Sequence, residues 1–205
     1  MARSPSFAGL VLAAGKSSRM GRDKALLPWH GQTFLGAAID TLNQLSELVI
    51  IVAGENLVSL QPIAYSKSAY LVENPDPERG QFSSLQIGLQ AILDRGRDAA
   101  IITLVDRPPA ASGTFAHVRR KFEMECGEKT WAVVPEYQGS HGHPIVIGRE
   151  MMECFLRAPA SSATARDVEH AYRDKILYVS VEDPFVTMNI NTPEELEALN
   201  QGVNV

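Results

Sequence analysis

The chain is 205 residues long, 45% hydrophobic and 21% charged, proportions that suit a folded globular protein with a sizeable core. Its formal net charge of −5 argues against a nucleic-acid partner held on a broad basic surface. No apolar run reaches the roughly 18 residues a membrane-spanning helix needs, so no membrane association is expected. Cys126 and Cys154 are too few for a disulfide framework and are not spaced as a metal pair. They read as reduced thiols of a cytoplasmic protein, with a single bridge as the other reading.

Strand-like and helix-like stretches alternate throughout, which predicts an α/β sandwich with a mainly parallel sheet, a single domain over residues 1–205. Ala2-Arg3-Ser4-Pro5-Ser6 carries no signal-peptide pattern and leads straight into the first strand. The apolar run Leu10-Val11-Leu12-Ala13-Ala14 is that strand, and Gly15 ends it. A loop follows with four cations, Lys16, Arg19, Arg22 and Lys24, and one acid, Asp23. A strand feeding a glycine turn rich in cations suits a polyphosphate: backbone N–H groups approach closely and the cations cancel charge. A surface turn with solvated charges is the alternative. Two better-known phosphate loops are excluded. Gly9 and Gly15 enclose five strand-like residues rather than the four loop residues of a Walker motif, and G-x-G-x-x-G is absent.

Further along, Gly31-Gln32 reads as a turn and Thr33 as the cap of a helix through Phe34, Ala38, Ile39 and Leu42. Strands are expected at 48–53 and 70–73, the second ending in Asn74-Pro75-Asp76-Pro77, which continues neither element. Gly80 then frees the backbone, and Ser83 or Ser84 is expected to cap the helix continued by Leu85, Leu89 and Ile92. A helix N-terminus there suits an anion or the polar edge of a base.

Residues 99–105 are the most uniformly apolar stretch and should form the central strand. It delivers Asp106 to its carboxyl end, where open α/β sheets bind ligands. A carboxylate so placed, followed by Arg107-Pro108-Pro109, suits a Mg²⁺ ligand, since Mg²⁺ prefers oxygen and few protein ligands; a helix N-cap is the alternative. Ser112 should cap a helix through Phe115, Val118 and Phe122. Residues 131–135 read as a strand and 145–147 as one antiparallel to its neighbour. His141 and His143 alternate, but with no third ligand nearby they make a weak metal pair. Short helices over 151–156 and 163–172 and a strand over 176–181 complete the body. Arg166 and Asp167 read as a solvated helix face, with contact to a bound substrate as the other reading. Thr192, Pro193 and Glu195 make a capping box.

The string Leu12-Ala13-Ala14-Gly15-Lys16-Ser17-Ser18-Arg19-Met20-Gly21, with Asp23-Lys24 beyond it, resembles the signature of nucleotidyltransferases that activate sugars, alditols and pterins. Within them it resembles the molybdenum-cofactor (MobA/MocA-like) NTP transferases. The resemblance spans nearly the whole chain. It implies a three-layer α/β/α, Rossmann-like nucleotide-diphospho-sugar transferase (GT-A-like) fold, its mostly parallel mixed sheet holding one antiparallel strand. It implies that the backbone of Leu12, Ala13, Ala14 and Gly15 meets base and sugar while Arg19 and Lys24 serve the triphosphate. Asn74-Pro75 with Gly80, Ser83, Ser84 and Leu85 resembles the family's second nucleotide loop, nearer the cytidylyl branch than the guanylyl one.

Asp106 matches the family's Asp-x-Pro, with Arg107 a charged departure at its middle position. Gly142-His143-Pro144 resembles a Gly-His-Pro loop that faces the acceptor, which places His143 among the binding residues; His141 stands where arginine is frequent. Asn189-Ile190-Asn191-Thr192-Pro193 resembles a segment whose first residue is a second metal ligand beside Asp106. The implied reaction is Mg²⁺-dependent transfer of a nucleoside monophosphate, CMP from CTP, onto the phosphate of molybdopterin, releasing pyrophosphate. A molybdoenzyme is the implied protein partner. The alternatives are a guanylyltransferase using GTP, a sugar-1-phosphate nucleotidyltransferase, and a non-catalytic nucleotide-binding accessory protein for molybdoenzyme maturation.

Overall fold

Seven strands follow one another in the order β10-β7-β9-β6-β1-β4-β5 in the computed structural model, which describes residues 4–15, 21–159 and 161–200. They are β1 (Phe7–Leu12), β4 (Leu48–Ala53), β5 (Tyr70–Glu73), β6 (Ala99–Leu104), β7 (Ala132–Tyr137), β9 (Ile145–Gly148) and β10 (Ile176–Ser180). A short β8 (Ser140–His141) pairs with β7, and β2 (Pro28–Trp29) and β3 (Gln32–Thr33) form a separate hairpin. β9 runs antiparallel between β6 and β7; the pairs β1–β4, β1–β6, β4–β5 and β7–β10 are parallel. The single antiparallel strand expected from the sequence is therefore joined by a second, β8. Its two residues, Ser140 and His141, are too few to carry a hydrophobic alternation.

The period of two along β1 explains the layers. Leu10 and Leu12, with their register neighbours Ile50, Val52, Ile102 and Leu104, face one side of the sheet. Val11 and its neighbours on β4 and β6 face the other. On the first side, helices α3 (Gln81–Asp94), α5 (Arg149–Arg157) and α6 (Ala165–Ala171) contribute Leu85, Leu89, Ile92, Met152, Phe155 and Val168. On the second, α1 (Phe34–Asn43), α2 (Leu57–Ser66) and α4 (Ser112–Glu125) contribute Leu35, Ile39, Leu42, Leu60, Phe115 and Phe122. Each fully buried Leu or Ile in these layers stabilises the fold by about 1.5–3 kcal/mol. The result is the expected three-layer α/β/α architecture. At Gly88 a Cβ would lie 2.5 Å from Leu10 Cδ1, so this glycine sets how closely α3 approaches the sheet.

A third, smaller apolar cluster joins Leu27 and Phe34 to Ile190 and Leu196, the latter on α7 (Pro193–Asn200). It pins the end of the chain beside the loop that carries Lys24. Thr33 caps α1 as expected, its hydroxyl accepting from Gly36 N–H at 3.0 Å, and Thr192 and Glu195 form the anticipated capping box. Two expected caps are corrected. α3 begins at Gln81 with Gly80 as its N-cap, which leaves Ser83 and Ser84 inside the first turn. Ser112 does not cap α4; Asp183 does, accepting from Ala111 N–H and Thr114 Oγ1, each at 2.8 Å. A cap supplied from 69 or more residues away leaves no local signature. Among the described residues no helix is long and apolar enough to cross a membrane.

Candidate active site

The carboxyl ends of β1 and β6 open into a cavity of about 340 Å³ whose wall includes Leu12, Ala14, Gly15, Lys24, Gly80, Ser84 and Asp106. The loop leaving β1 is tied down by Asn56. Its side-chain amide donates to the Ala13 carbonyl at 2.8 Å and to Asp23 Oδ2 at 2.6 Å, and its own oxygen accepts from Gly54 N–H at 3.0 Å. Asp23 Oδ1 accepts from Ala25 N–H at 2.9 Å, opening the 3₁₀ turn Lys24–Leu26. The one acid of this cationic loop therefore shapes the backbone that presents Lys24. Lys24 Nζ in turn donates to Asn191 Oδ1 at 3.1 Å, linking the loop to the segment before α7. Sequence reasoning passed over Asn56 as a turn residue; nothing short of the contact itself distinguishes it.

Facing the loop is the N-terminus of α3. Gly80 holds φ +87°, a left-handed region that disfavours side chains. Below it the buried Asn74 amide donates to both Ser83 Oγ and Ser84 Oγ at 2.9 Å, and its oxygen accepts from Asp76 N–H at 3.0 Å. Ser83 Oγ donates to the Gly80 carbonyl at 2.8 Å. Ser84 reaches the cavity wall and Ser83 does not, because its hydroxyl is turned inward to hold the Gly80 loop. Ala13 also lies away from the cavity: it belongs to the opposite core layer, with its N–H bonded to the Val52 carbonyl at 2.9 Å. Arg19 and Lys16 fall outside the described residues.

Asp106 stands one residue beyond Val105 at the end of the central strand. Its carbonyl accepts from Ile190 N–H at 2.9 Å, which brings the exposed Asn189 alongside. Asp106 Oδ1 is buried and has no hydrogen-bond partner; the nearest cation is Arg107 Nε at 3.6 Å. The rest of the carboxylate is open, the side chain being 43% exposed. An orphaned buried oxygen beside an exposed one is a hard-oxygen donor that fits Mg²⁺ or Mn²⁺, and the Ile190 bond brings Asn189, the residue before it, to the same strand end. Among the described residues no group of three or more His, Cys, Asp or Glu side chains gathers as a metal site. His141 instead pairs with Glu136 at 3.3 Å and stacks on Tyr178.

Beyond the first cavity the cleft continues. A second space, about 370 Å³ and mainly apolar, shares Leu12, Gly80, Gln81 and Leu104 with the first and extends past Phe82, Ile145 and Phe155 to His143, Arg166 and Glu169. A third, about 460 Å³, shares His143, Ile145, Ala165, Arg166 and Glu169 and adds Arg107, Arg173 and Tyr178. His143 lies at the junction. Its N–H donates to the Val186 carbonyl at 2.9 Å, and Arg107 Nη1 donates to the same oxygen at 2.7 Å. A Cβ on Gly142 would fall 1.8 Å from that oxygen, so only glycine permits the crossing. His143 is half-buried, its Nδ1 buried and unpartnered, and burial, helped by the Arg107 charge, lowers its pKa to about 3. It is neutral at physiological pH. Burial also holds the Arg107 pKa below its ordinary value, against the opposing pull of Asp106; the guanidinium remains cationic.

An open α/β sheet with a cation and a carboxylate across one cleft at its strand ends belongs to the class of nucleotide-handling α/β proteins. Within it the particular family is clear: residues 9–176 match the model of the MobA-like NTP transferase domain, and the chain belongs to that family. A molybdenum cofactor guanylyltransferase of Xanthomonas euvesicatoria is 26% identical over 196 residues, 94% of each chain. The molybdenum cofactor cytidylyltransferase of Escherichia coli is 25% identical over 187 residues, 91% of each. A protein of Paenarthrobacter nicotinovorans named nicotine blue oxidoreductase is 35% identical over 168 residues, 79% of this chain and 80% of that one. Among solved structures, Rv0371c of Mycobacterium tuberculosis in complex with manganese superposes with a TM-score of 0.74 at 22% identity, covering 97% of this chain and 100% of that one.

Proposed function

We propose that the chain is a single-domain, Mg²⁺-dependent cytidylyltransferase that moves CMP from CTP onto the phosphate of molybdopterin and releases pyrophosphate. The observation that carries this reading is the shared cavity in which Lys24, presented by the β1 loop, and Asp106, delivered by β6, line one space with Gly15 and the start of α3. An acceptor phosphate oxygen attacks the α-phosphorus, the bond from that phosphorus to the bridging oxygen breaks, and pyrophosphate leaves in line. Both reactants are anions, so positioning and charge neutralisation are most of the catalysis.

In this reading Leu12, Ala14 and Gly15 and the Gly80–Ser84 turn seat the nucleoside, with Ser83 acting through the Gly80 loop. Lys24 and Arg19 neutralise the triphosphate and the departing charge. Asp106 and Asn189 would hold the divalent ion, which supplies Lewis-acid polarisation of the phosphate when bound. The manganese complex of the mycobacterial relative supports divalent-metal use, and the orphaned Asp106 oxygen supports the ligand. His143 and its neighbours border the acceptor. The setting is cytoplasmic, and a molybdoenzyme receives the product.

GTP is the second reading for the donor, favoured by the Xanthomonas relative as CTP is by the Escherichia one. One fold hosts several chemistries, as the oxidoreductase name of a third relative illustrates. The assay must therefore measure the bond change itself. Pyrophosphate is followed with Mg²⁺ and each NTP in turn, with molybdopterin, with a sugar 1-phosphate, and with no acceptor. The proposal predicts release that requires molybdopterin and is fastest with CTP. GTP preference replaces the base assignment, sugar-phosphate dependence replaces the acceptor, and no release with any pair leaves a nucleotide-binding accessory protein.

A further inference from the structure

The outer two parts of the cleft hold one acid that the transfer chemistry above does not use. Glu169, on α6, lines both the apolar space and the cationic one, whereas Asp106 lines neither. It is half-buried, and burial raises its pKa even though Arg166, His141 and His170 pull the other way. No hydrogen bond among the described residues satisfies its carboxylate. Its oxygens therefore face the open cleft and its water, which a ligand that brings N–H donors can replace.

The surroundings narrow what such a ligand is. On one side of Glu169 the wall is apolar (Phe82, Ile145, Phe155), which suits the faces of a flat ring. On the other side Arg107, Arg166 and Arg173 suit anionic substituents. An ionised carboxylate only accepts hydrogen bonds, and its two oxygens match a pair of parallel N–H donors. A flat heterocycle with an N–H and an adjacent amino group on one edge, and anionic groups elsewhere, satisfies all three surfaces together.

We propose that Glu169 is the residue that selects the acceptor, its two oxygens taking the paired N–H donors of a 2-amino-4-oxopyrimidine ring, the edge a pterin presents. This rests on the molybdopterin acceptor proposed above and names the residue that reads it. The neutral, half-buried His143 forms part of the wall where the apolar and cationic spaces meet. Guanine carries the same donor edge, so the donor base and the acceptor ring are distinguished in the test.

The test uses the fluorescence of 6-carboxypterin and of 6-carboxylumazine, which bears an oxo group in place of the 2-amino group. The wild-type protein should bind the pterin at least roughly 10-fold more tightly than the lumazine, because the analogue leaves a carboxylate oxygen unpaired and opposes it with an oxygen. Glu169→Gln and Glu169→Ala should each bring that ratio close to one and raise the KM for molybdopterin, with the KM for the NTP unmoved. A purely structural role would move both KM values and leave the ratio intact. Preference for the pterin retained in both variants overturns the proposal, and so does a wild-type protein without preference. Guanosine displacing the pterin with equal affinity overturns it too, by giving this edge to the donor base. Wild-type pyrophosphate release with molybdopterin, measured alongside, separates these failures from failure of the transfer reading, since release can persist when the ratio test fails.

Discussion

The two halves of the cleft are built in opposite ways. The half around Lys24 and Asp106 is made of backbone: a strand end, a glycine turn and a helix start, each fixed by bonds to Asn56, Asn74 or Ile190. The half around His143 and Glu169 is made of side chains from β7, β9, α5 and α6, packed over the sheet where antiparallel β9 interrupts it. Backbone-built sites depend on short contiguous strings, so they are tied to the polyphosphate common to every NTP. Side-chain-built sites can vary one residue at a time, as the half that chooses an acceptor must. In the proposed reading the shared chemistry belongs to the backbone-built half and the choice of acceptor to the half built of side chains.

That contrast can be broken most sharply at Asp106. Asp106→Ala should lower kcat for pyrophosphate release by about 10³-fold, since a metal contact contributes several kcal/mol at the transition state, with thermal unfolding nearly unmoved. Near wild-type turnover would remove Asp106 from the chemistry. The other half has a backbone dependence of its own at one point. Gly142→Ala puts a methyl 1.8 Å from a main-chain oxygen that cannot rotate away. It should cost about 3 kcal/mol of folding stability in urea titrations, and a loss under about 0.5 kcal/mol would mean the Val186 segment yields.

Lys24→Ala comes next, with kcat/KM falling about 10- to 100-fold through loss of a charge-assisted contact to phosphate. An effect confined to stability would make Lys24 only a tether to Asn191. The smallest effect concerns pH. The pKa of His143 is about 3 when folded against an ordinary 6.5, so below pH 6.5 the unfolded chain takes up a proton that the folded chain refuses. The group therefore has no effect above that range and destabilises the fold as pH falls. The loss is about 1–2 kcal/mol between pH 6.5 and 5. His143→Gln should remove this slope, and stability curves of equal slope for the two proteins would contradict the burial of a neutral ring.

Much of the inner half was legible in the sequence because its parts are continuous. Gly15 after an apolar strand, Asp106 after residues 99–105 and the box at Thr192 each sit within a dozen residues of the feature that explains them. Ser83 and Ser84 show where legibility ended. Their place near the turn was visible, but the Asn74 amide that holds both is a buried tertiary contact, and it makes them supports rather than caps. The same holds for Asp183 over α4 and for Asn56 under the β1 loop: each acts across 33 residues or more, and no periodicity encodes such a pairing. In the outer half, Glu169 falls inside the expected 163–172 helix with no signal of its own, and only the packing of α6 beside α5 shows that it faces a cleft.

The central claim is that Asp106 and Lys24 together hold a metal–nucleotide complex, and Mn²⁺ binding followed by electron paramagnetic resonance, with and without a non-hydrolysable CTP analogue, tests it directly. The account predicts that the wild-type protein binds Mn²⁺ with the analogue present, that Asp106→Ala abolishes this binding, and that Lys24→Ala weakens it through the nucleotide. Equal Mn²⁺ binding by the wild-type protein and the Asp106→Ala variant would contradict it.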